Sequence, residues 1–193
     1  MSLLSRYLQQ RRLSKVRRYL RGAVLDLGCG DASLLALLSP GQSYTGVDRN
    51  VGLVRTLQRT RPSCSFVAAD LEAGVLPLQP ERYDTVVMSA VIEHLMSPAG
   101  LLGSVGNLIA DGGRLVITTP TPVGDIVHRL GARVGLFSRE AVEEHARIYG
   151  KRSLEALLSR HRFFIEHYET FELGLNQLCV ASPVSSREGG PSP

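Results

Sequence analysis

The chain has 193 residues, 44% hydrophobic and 21% charged, and a formal net charge of +4. This length and composition predict one globular domain with a core of ordinary size. Apolar runs fall well short of the roughly 20 residues that span a membrane. Cys29, Cys64 and Cys179 have neither metal-ligand nor disulfide spacing, so we expect no metal and a reducing, cytoplasmic setting. The charge is too small to indicate nucleic-acid binding by itself.

The first predicted element is a basic amphipathic helix within residues 1–21. Seven arginines and lysines precede the first acid, Asp26, and Leu13, Val16 and Leu20 fall at helical spacing. Such a face suits an anionic substrate, acidic lipid headgroups in peripheral membrane contact, or nucleic acid. The competing interpretation is a solvated face on a helix that packs beside a ligand pocket.

A strand predicted over residues 24–27 leads into Gly28 and Gly30 and then into a helix-prone leucine segment. In open α/β sheets this order of strand, tight turn and helix start holds nucleotide-like ligands. Gly-x-Gly alone is a weak signal. Asp26, however, would repel a pyrophosphate and attract an amino or sulfonium group. Asp-x-Gly-x-Gly therefore favours S-adenosylmethionine (SAM) over NAD.

Two more acids end predicted strands. Asp48 closes the strand over 43–48 and is suited to accept hydrogen bonds from both ribose hydroxyls, a device that dehydrogenases share. Asp70 closes the strand over 64–71, where it could accept a hydrogen bond from an adenine amino group. Any one such acid is also a common turn former or helix cap. Three acids at the ends of three successive strands favour an adenosine site.

The remaining pattern alternates strands and helices. Strands are predicted over 83–89 and 114–120, with a helix over 98–110 between them that ends at Asp111-Gly112-Gly113. This rhythm predicts a parallel sheet with right-handed crossovers. The long, partly apolar connection over 120–150 is predicted to form a lid or substrate insertion, which favours a hydrophobic or aromatic acceptor. A plain packing insertion is the alternative.

Several segments together resemble one enzyme family. In chain order they are VLDLGCGDA, TGVDRN, AADLEAGVLPL, YDTVVMSAVIEHL and GGRLVITTP. On these the chain resembles the class I SAM-dependent methyltransferases, specifically the small-molecule, ubiquinone-biosynthesis-like branch. The resemblance implies an α/β fold: a single Rossmann-like domain over 22–182, with a seven-stranded, mostly parallel sheet, an antiparallel last strand and helices on both faces. Residues 183–193 are expected to be a disordered tail.

The resemblance also implies which residues bind the cofactor, SAM, whose product is S-adenosylhomocysteine (SAH). They are Asp26, Gly28, Cys29 and Gly30 at the methionine end, Asp48 and Arg49 at the ribose, Asp70 and Leu71 at the adenine, and Ser89 near the cofactor. Ala32 stands where many members have a third glycine, a small change because alanine is small. Family members of this kind use no metal.

Two histidines are candidate catalytic residues. Methyl transfer from a sulfonium is an in-line displacement, so a general base is needed only when the nucleophile must lose a proton. His94 follows the fourth strand, and His145 lies in a His-x-Arg-x-Tyr stretch resembling one found in the family. The alternatives are a helix-start histidine bonded to backbone for His94 and a structural or substrate-positioning role for His145.

The sequence therefore predicts a SAM-dependent methyltransferase of a small-molecule acceptor, with O-methylation slightly favoured. The Asn/Asp-Pro-Pro-Tyr signature of nucleobase amino methylation is absent after the fourth strand. Three alternatives stay open: an RNA or protein methyltransferase that uses the basic helix, a non-catalytic SAM-binding protein, and an NAD-dependent oxidoreductase. Asp26 and Ser33 count against the last of these.

Overall fold

The computed structural model describes residues 3–78, 82–133 and 146–184. Their strands form one seven-stranded sheet in the order β3-β2-β1-β4-β5-β7-β6. The strands are β1 Ala23–Leu27, β2 Ser43–Asp48, β3 Ser65–Ala68, β4 Tyr83–Ser89, β5 Ile109–Pro120, β6 Phe163–Phe171 and β7 Asn176–Pro183. Only β7 pairs antiparallel, with both β5 and β6. The predicted fold class, including its antiparallel last strand, is confirmed.

Helices cover both faces of this sheet. They are α1 Leu3–Arg17, α2 Val51–Thr60, α3 Pro98–Leu108, α4 Pro122–Arg133 and α5 Lys151–Arg160. Successive strand residues point to opposite layers, so Val24 packs with the apolar side chains of α1 and α2 while Leu25 packs with those of α3 and α5. Every helix in the described ranges is too short or too polar to cross a membrane.

Local sequence explains where these helices begin and end. The side chain of Asn50 caps α2 by accepting a hydrogen bond from the Leu53 N–H at 3.0 Å. The helix ends at Thr60 because Arg61 precedes a proline and is disfavoured in the helical conformation. Pro98 starts α3, where its missing N–H costs nothing.

Three predicted boundaries were wrong. The segment after the glycine loop forms only a short 3-10 helix, Ser33–Leu37, because Pro40 and Gly41 follow at once and stop a longer helix. The strand predicted from residue 114 begins at Ile109, since a register shift against β4 lets Asp111-Gly112-Gly113 join β5. The third strand ends at Ala68, which leaves Asp70 outside it.

Candidate active site

The glycine loop lies at the carboxyl ends of β1 and β2. Gly28 and Gly30 have φ angles of 73° and 50°, in the left-handed region. The N–H groups of Gly28 and Cys29 both donate to the Val47 carbonyl, at 2.8 and 2.9 Å. A Cβ on Gly28 would lie 2.6 Å from Val91 Cγ2, whereas one on Gly30 meets no described atom within 4 Å. Gly28 therefore permits close packing, and Gly30 faces open space.

Ala32, the next position of this loop, also has a left-handed backbone. Its φ is 57° and it carries no side-chain cap of the following 3-10 helix. An L residue pays roughly 1–2 kcal/mol for this conformation, which a glycine would not. The departure from the glycine pattern is thus a matter of backbone angle as well as of side-chain size.

Asp48 joins the glycine loop to the end of β2. Its Oδ2 accepts a hydrogen bond from the Gly30 N–H at 3.0 Å, and its Oδ1 accepts one from the Asn50 N–H at 2.9 Å. A carboxylate offers about four lone-pair directions, so two backbone bonds leave capacity for two more donors. The structure thus brings together Gly30 and Asp48, and it leaves the carboxylate able to bind a diol.

Asp26 is buried within the sheet, with 5% of its surface exposed. Its Oδ2 accepts a hydrogen bond from the Tyr44 hydroxyl at 2.7 Å. Burial raises the pKa of Asp26 to about 7, the charges of Asp48 and Asp31 add to the rise, and the Tyr44 bond opposes it. A cation bound nearby would favour the ionised form of this carboxyl group.

Cys29 packs inside the loop. A Cβ on Gly46 would lie 2.9 Å from its sulfur, so the two strands meet closely here. Burial, followed by the charges of Asp26 and Asp48, raises the pKa of the Cys29 thiol to about 12. A thiol that stays protonated near pH 7 is a poor nucleophile, which favours a packing role.

The residues expected at the adenine lie next along the edge. The Ala69 N–H donates to the Asp48 carbonyl at 3.1 Å, which places the turn after β3 beside the end of β2. Asp70 is exposed and caps a 3-10 turn, Leu71–Ala73, by accepting from the Glu72 N–H at 3.0 Å. Leu71 is buried in the core, and Arg49 is exposed.

The end of β4 supplies the other side of the edge. Ser89 Oγ lies 3.0 Å from Thr118 Oγ1 on β5. Ala90 follows with a left-handed φ of 57°, a strained conformation of the kind that clusters at functional sites. His94 ends the 3-10 turn Ile92–His94 and is half-buried. His145 lies outside the described residues.

A buried polar group beside this edge was missed by sequence reasoning. Glu93 is 1% exposed, and its Oε2 accepts a hydrogen bond from Thr119 Oγ1 at 3.0 Å. Its backbone carbonyl accepts from the N–H groups of Ala146 and Arg147, at 2.8 and 3.0 Å. The signal was present: Glu93 is the acid inside an otherwise apolar run, Val91 to Leu95, interrupted only by its neighbour His94.

The N-terminal helix packs across this end of the molecule. Gln9 Nε2 donates to Asp31 Oδ1 at 3.4 Å, and Lys15 and Arg18 both pair with Glu169. Burial lowers the pKa of Arg12, which the charges of Glu93 and Glu172 raise. Part of the basic face therefore contacts acids of the same chain.

Comparison with known proteins decides the family. Residues 4–168 match the family model described as a methyltransferase domain. The chain belongs to the class I SAM-dependent methyltransferases. The cofactor of these enzymes is SAM.

Relatives of known name cover part of the chain. The trans-aconitate 2-methyltransferase of Methylobacterium radiotolerans is 30% identical over 110 residues, which are 55% of this chain and 41% of that protein. A ubiquinone biosynthesis O-methyltransferase of Coxiella burnetii is 29% identical over 101 residues, which are 50% and 42% of the two chains. The matched stretch thus spans under half the length of these relatives.

A solved structure shows the same fold over nearly the whole length. The magnesium protoporphyrin IX methyltransferase of Synechocystis, determined with bound SAH, superposes with a TM-score of 0.69 at 20% identity. The match covers 94% of this chain and 87% of that one. The seven-stranded arrangement described above is therefore that of a known methyltransferase.

Proposed function

We propose that this methyltransferase moves the methyl group of SAM to a small-molecule acceptor, with a hydroxyl oxygen as the favoured acceptor atom. The observation that carries the cofactor half is the meeting of Gly30 and Asp48 at the carboxyl edge. Ligands of open α/β sheets bind at this edge, where the strand order reverses between β1 and β4.

The proposed placement of SAM follows the charges along the edge. Asp48 takes the two ribose hydroxyls with its remaining lone pairs, and Arg49 lies beside it. The methionine end lies along the glycine loop, where the buried carboxyl of Asp26 favours the cationic amino and sulfonium groups. Asp70 and the Leu71 backbone flank the adenine, and Ser89 lies near the sulfur.

The protein's contribution to the reaction is mainly alignment and exclusion of water. SAM supplies an electrophilic methyl group whose positive charge on sulfur disappears on transfer. His94 takes the proton from a hydroxyl acceptor, so that the oxygen attacks with a full lone pair. His145 is proposed to position the acceptor.

The acceptor is proposed to be at least partly hydrophobic. Helix α4 follows the carboxyl end of β5, and its Val123, Ile126 and Val127 are 62%, 59% and 38% exposed. Exposed apolar side chains next to a candidate site are typical of a ligand wall. This supports the lid interpretation of the described part of residues 120–150.

The pairing of Lys15 and Arg18 with Glu169 supports a packing role for the basic helix over polymer binding. The cysteines Cys29, Cys64 and Cys179 are all free thiols, which agrees with the proposed cytoplasmic setting.

The test has two stages. Mass spectrometry of the purified protein looks for bound SAM or SAH, and radiolabelled SAM is then offered with a panel of phenols, amines and carboxylic acids. The proposal expects label on a phenol and its loss in His94→Gln. Label only on RNA or protein would contradict it.

A further inference from the structure

The feature that the cofactor site leaves unexplained is a buried cluster at the carboxyl ends of β4 and β5. We call it the Glu93 cluster; its members are Glu93, Thr119, Tyr149, Glu172 and Asn176, with Arg12 of α1 beside them. They come from five distant parts of the chain, so the fold alone assembles them. Thr119 and Asn176 are, like Glu93, almost fully buried.

The cluster adjoins the proposed cofactor site. Glu93 bonds to Thr119, and the preceding strand residue Thr118 contacts Ser89. In the same loop, Val91 packs directly against Gly28. Glu93 therefore lies on the side of β4 that faces away from β1, where a substrate would approach the methyl group.

Three oxygen atoms of the cluster have unmet hydrogen-bonding capacity. Glu93 Oε1, Glu172 Oε1 and Asn176 Oδ1 are buried and have no hydrogen-bond partner among the described residues. The second oxygen of Glu93 is satisfied by Thr119, and that of Glu172 by the Asn176 side-chain amide. Buried polar atoms are nearly always paired in native proteins, and those left over call for a partner. All three lack a donor.

Charge in the cluster points the same way. Two carboxylates, Glu93 and Glu172, face one guanidinium, Arg12. Burial raises the pKa of Glu172, and Asn176, Arg12 and then Arg11 lower it. Tyr149 adds a hydroxyl whose pKa is raised by burial, lowered by Arg147 and raised by Glu93. An anionic group placed here would meet two acids and add to an excess of negative charge.

We propose that Glu93 is a specificity-determining residue that selects substrates with a hydroxyl or amino group beside the reacting atom. Its free Oε1 accepts the hydrogen bond of that donor, and the surplus of carboxylates rejects a substrate whose reacting group is itself a carboxylate. This inference rests on the proposed function, because it concerns the acceptor side of the same site.

The test measures binding of small probes to the SAH-saturated protein by saturation-transfer NMR and calorimetry. The probes are catechol and tyramine as donors, and benzoate and trans-aconitate as carboxylates. Catechol or tyramine is expected to bind at least about tenfold more tightly than benzoate, since a hydrogen bond to a charged group is worth about one to two decades. Equal or tighter binding of the carboxylates overturns the proposal, and so does failure of both donors to bind.

Glu93→Gln supplies the matched variant. Glutamine keeps the size and can still accept from Thr119, but it replaces one oxygen by a donor and removes the charge. Donor affinity is expected to fall about tenfold or more, with SAH affinity unchanged. Glu155→Gln, the same change at an exposed position of α5, should alter neither. Equal donor affinity in Glu93→Gln and Glu155→Gln contradicts the role of Glu93. Failure of the parent to bind SAH would instead contradict the proposed function.

Discussion

Replacing Asp26 with asparagine should stabilise the protein at neutral and alkaline pH. Burial raises the pKa of this carboxyl from 3.8 to about 7 in the folded protein. The folded state therefore holds the proton more tightly than the unfolded state between about pH 4 and pH 7. By linkage, stability is highest below the lower pKa and is lost as pH rises through the upper one.

The size of the effect follows from the same shift. Each pKa unit corresponds to about 1.4 kcal/mol, so a rise of roughly three units costs the folded protein up to about 4 kcal/mol by pH 8. Asparagine has the shape of the acid, still accepts the Tyr44 hydrogen bond through its oxygen, and never ionises. The substitution removes the cost without opening a cavity.

The assay is urea denaturation followed by circular dichroism from pH 4 to pH 8. The free energies of unfolding of parent and Asp26→Asn should agree near pH 4, and the variant should gain up to about 4 kcal/mol by pH 8. Asp111→Asn, which neutralises an exposed carboxylate, is the control and should follow the parent. The reasoning is refuted when Asp26→Asn and the parent show the same pH dependence.

The same variant should bind SAM less well, because a charge near the sulfonium is gone. Calorimetry at pH 8, where Asp26 is ionised in the parent, should show about tenfold weaker binding. A variant that is more stable and binds SAM unchanged would place Asp26 outside the ligand's electrostatic reach.

Three further changes test the site. Asp48→Ala removes both proposed ribose contacts and should weaken SAM binding by tenfold or more, roughly 1.5–3 kcal/mol, in calorimetry; Asp111→Ala should not, and equal affinities would remove Asp48 from the site. Gly28→Ala forces a left-handed alanine against a neighbouring valine and should lower stability in urea by more than roughly 1 kcal/mol, whereas Gly103→Ala, in open space on a helix, should raise it by up to about 1 kcal/mol. Ile126→Ser should raise the KM for a phenolic substrate with SAM affinity intact; equal loss of both would sink the lid interpretation.

The fold was largely predictable because its signals are local. Apolar runs that end in Asp26 and Asp48, with glycines or helices after them, specify parallel strands and their carboxyl edge. The errors arose where neighbours in space decide. Asp111-Gly112-Gly113 has turn composition, yet pairing with β4 holds it in a strand. Leucine-rich residues 33–38 favour a helix, yet Pro40-Gly41 allow only a short 3-10 turn.

The candidate site divides in the same way. The acids and glycines of the cofactor edge lie in contiguous motifs, and the structure places Gly30 against Asp48 as those motifs suggest. The Glu93 cluster has no such motif. Arg12, Glu93 and Glu172 are separated by about 80 residues at each step, and only the packing of α1 and of the β6–β7 turn on the sheet brings their charges together.

The most direct test is a pair of calorimetric titrations of the purified protein, one with SAM and one with NADH. A carboxylate-lined crevice should bind SAM at one site and show no heat from NADH, and Asp48→Ala should abolish most of the SAM signal. Saturable binding of NADH with none of SAM would contradict the assignment of this edge to a cationic adenosyl ligand.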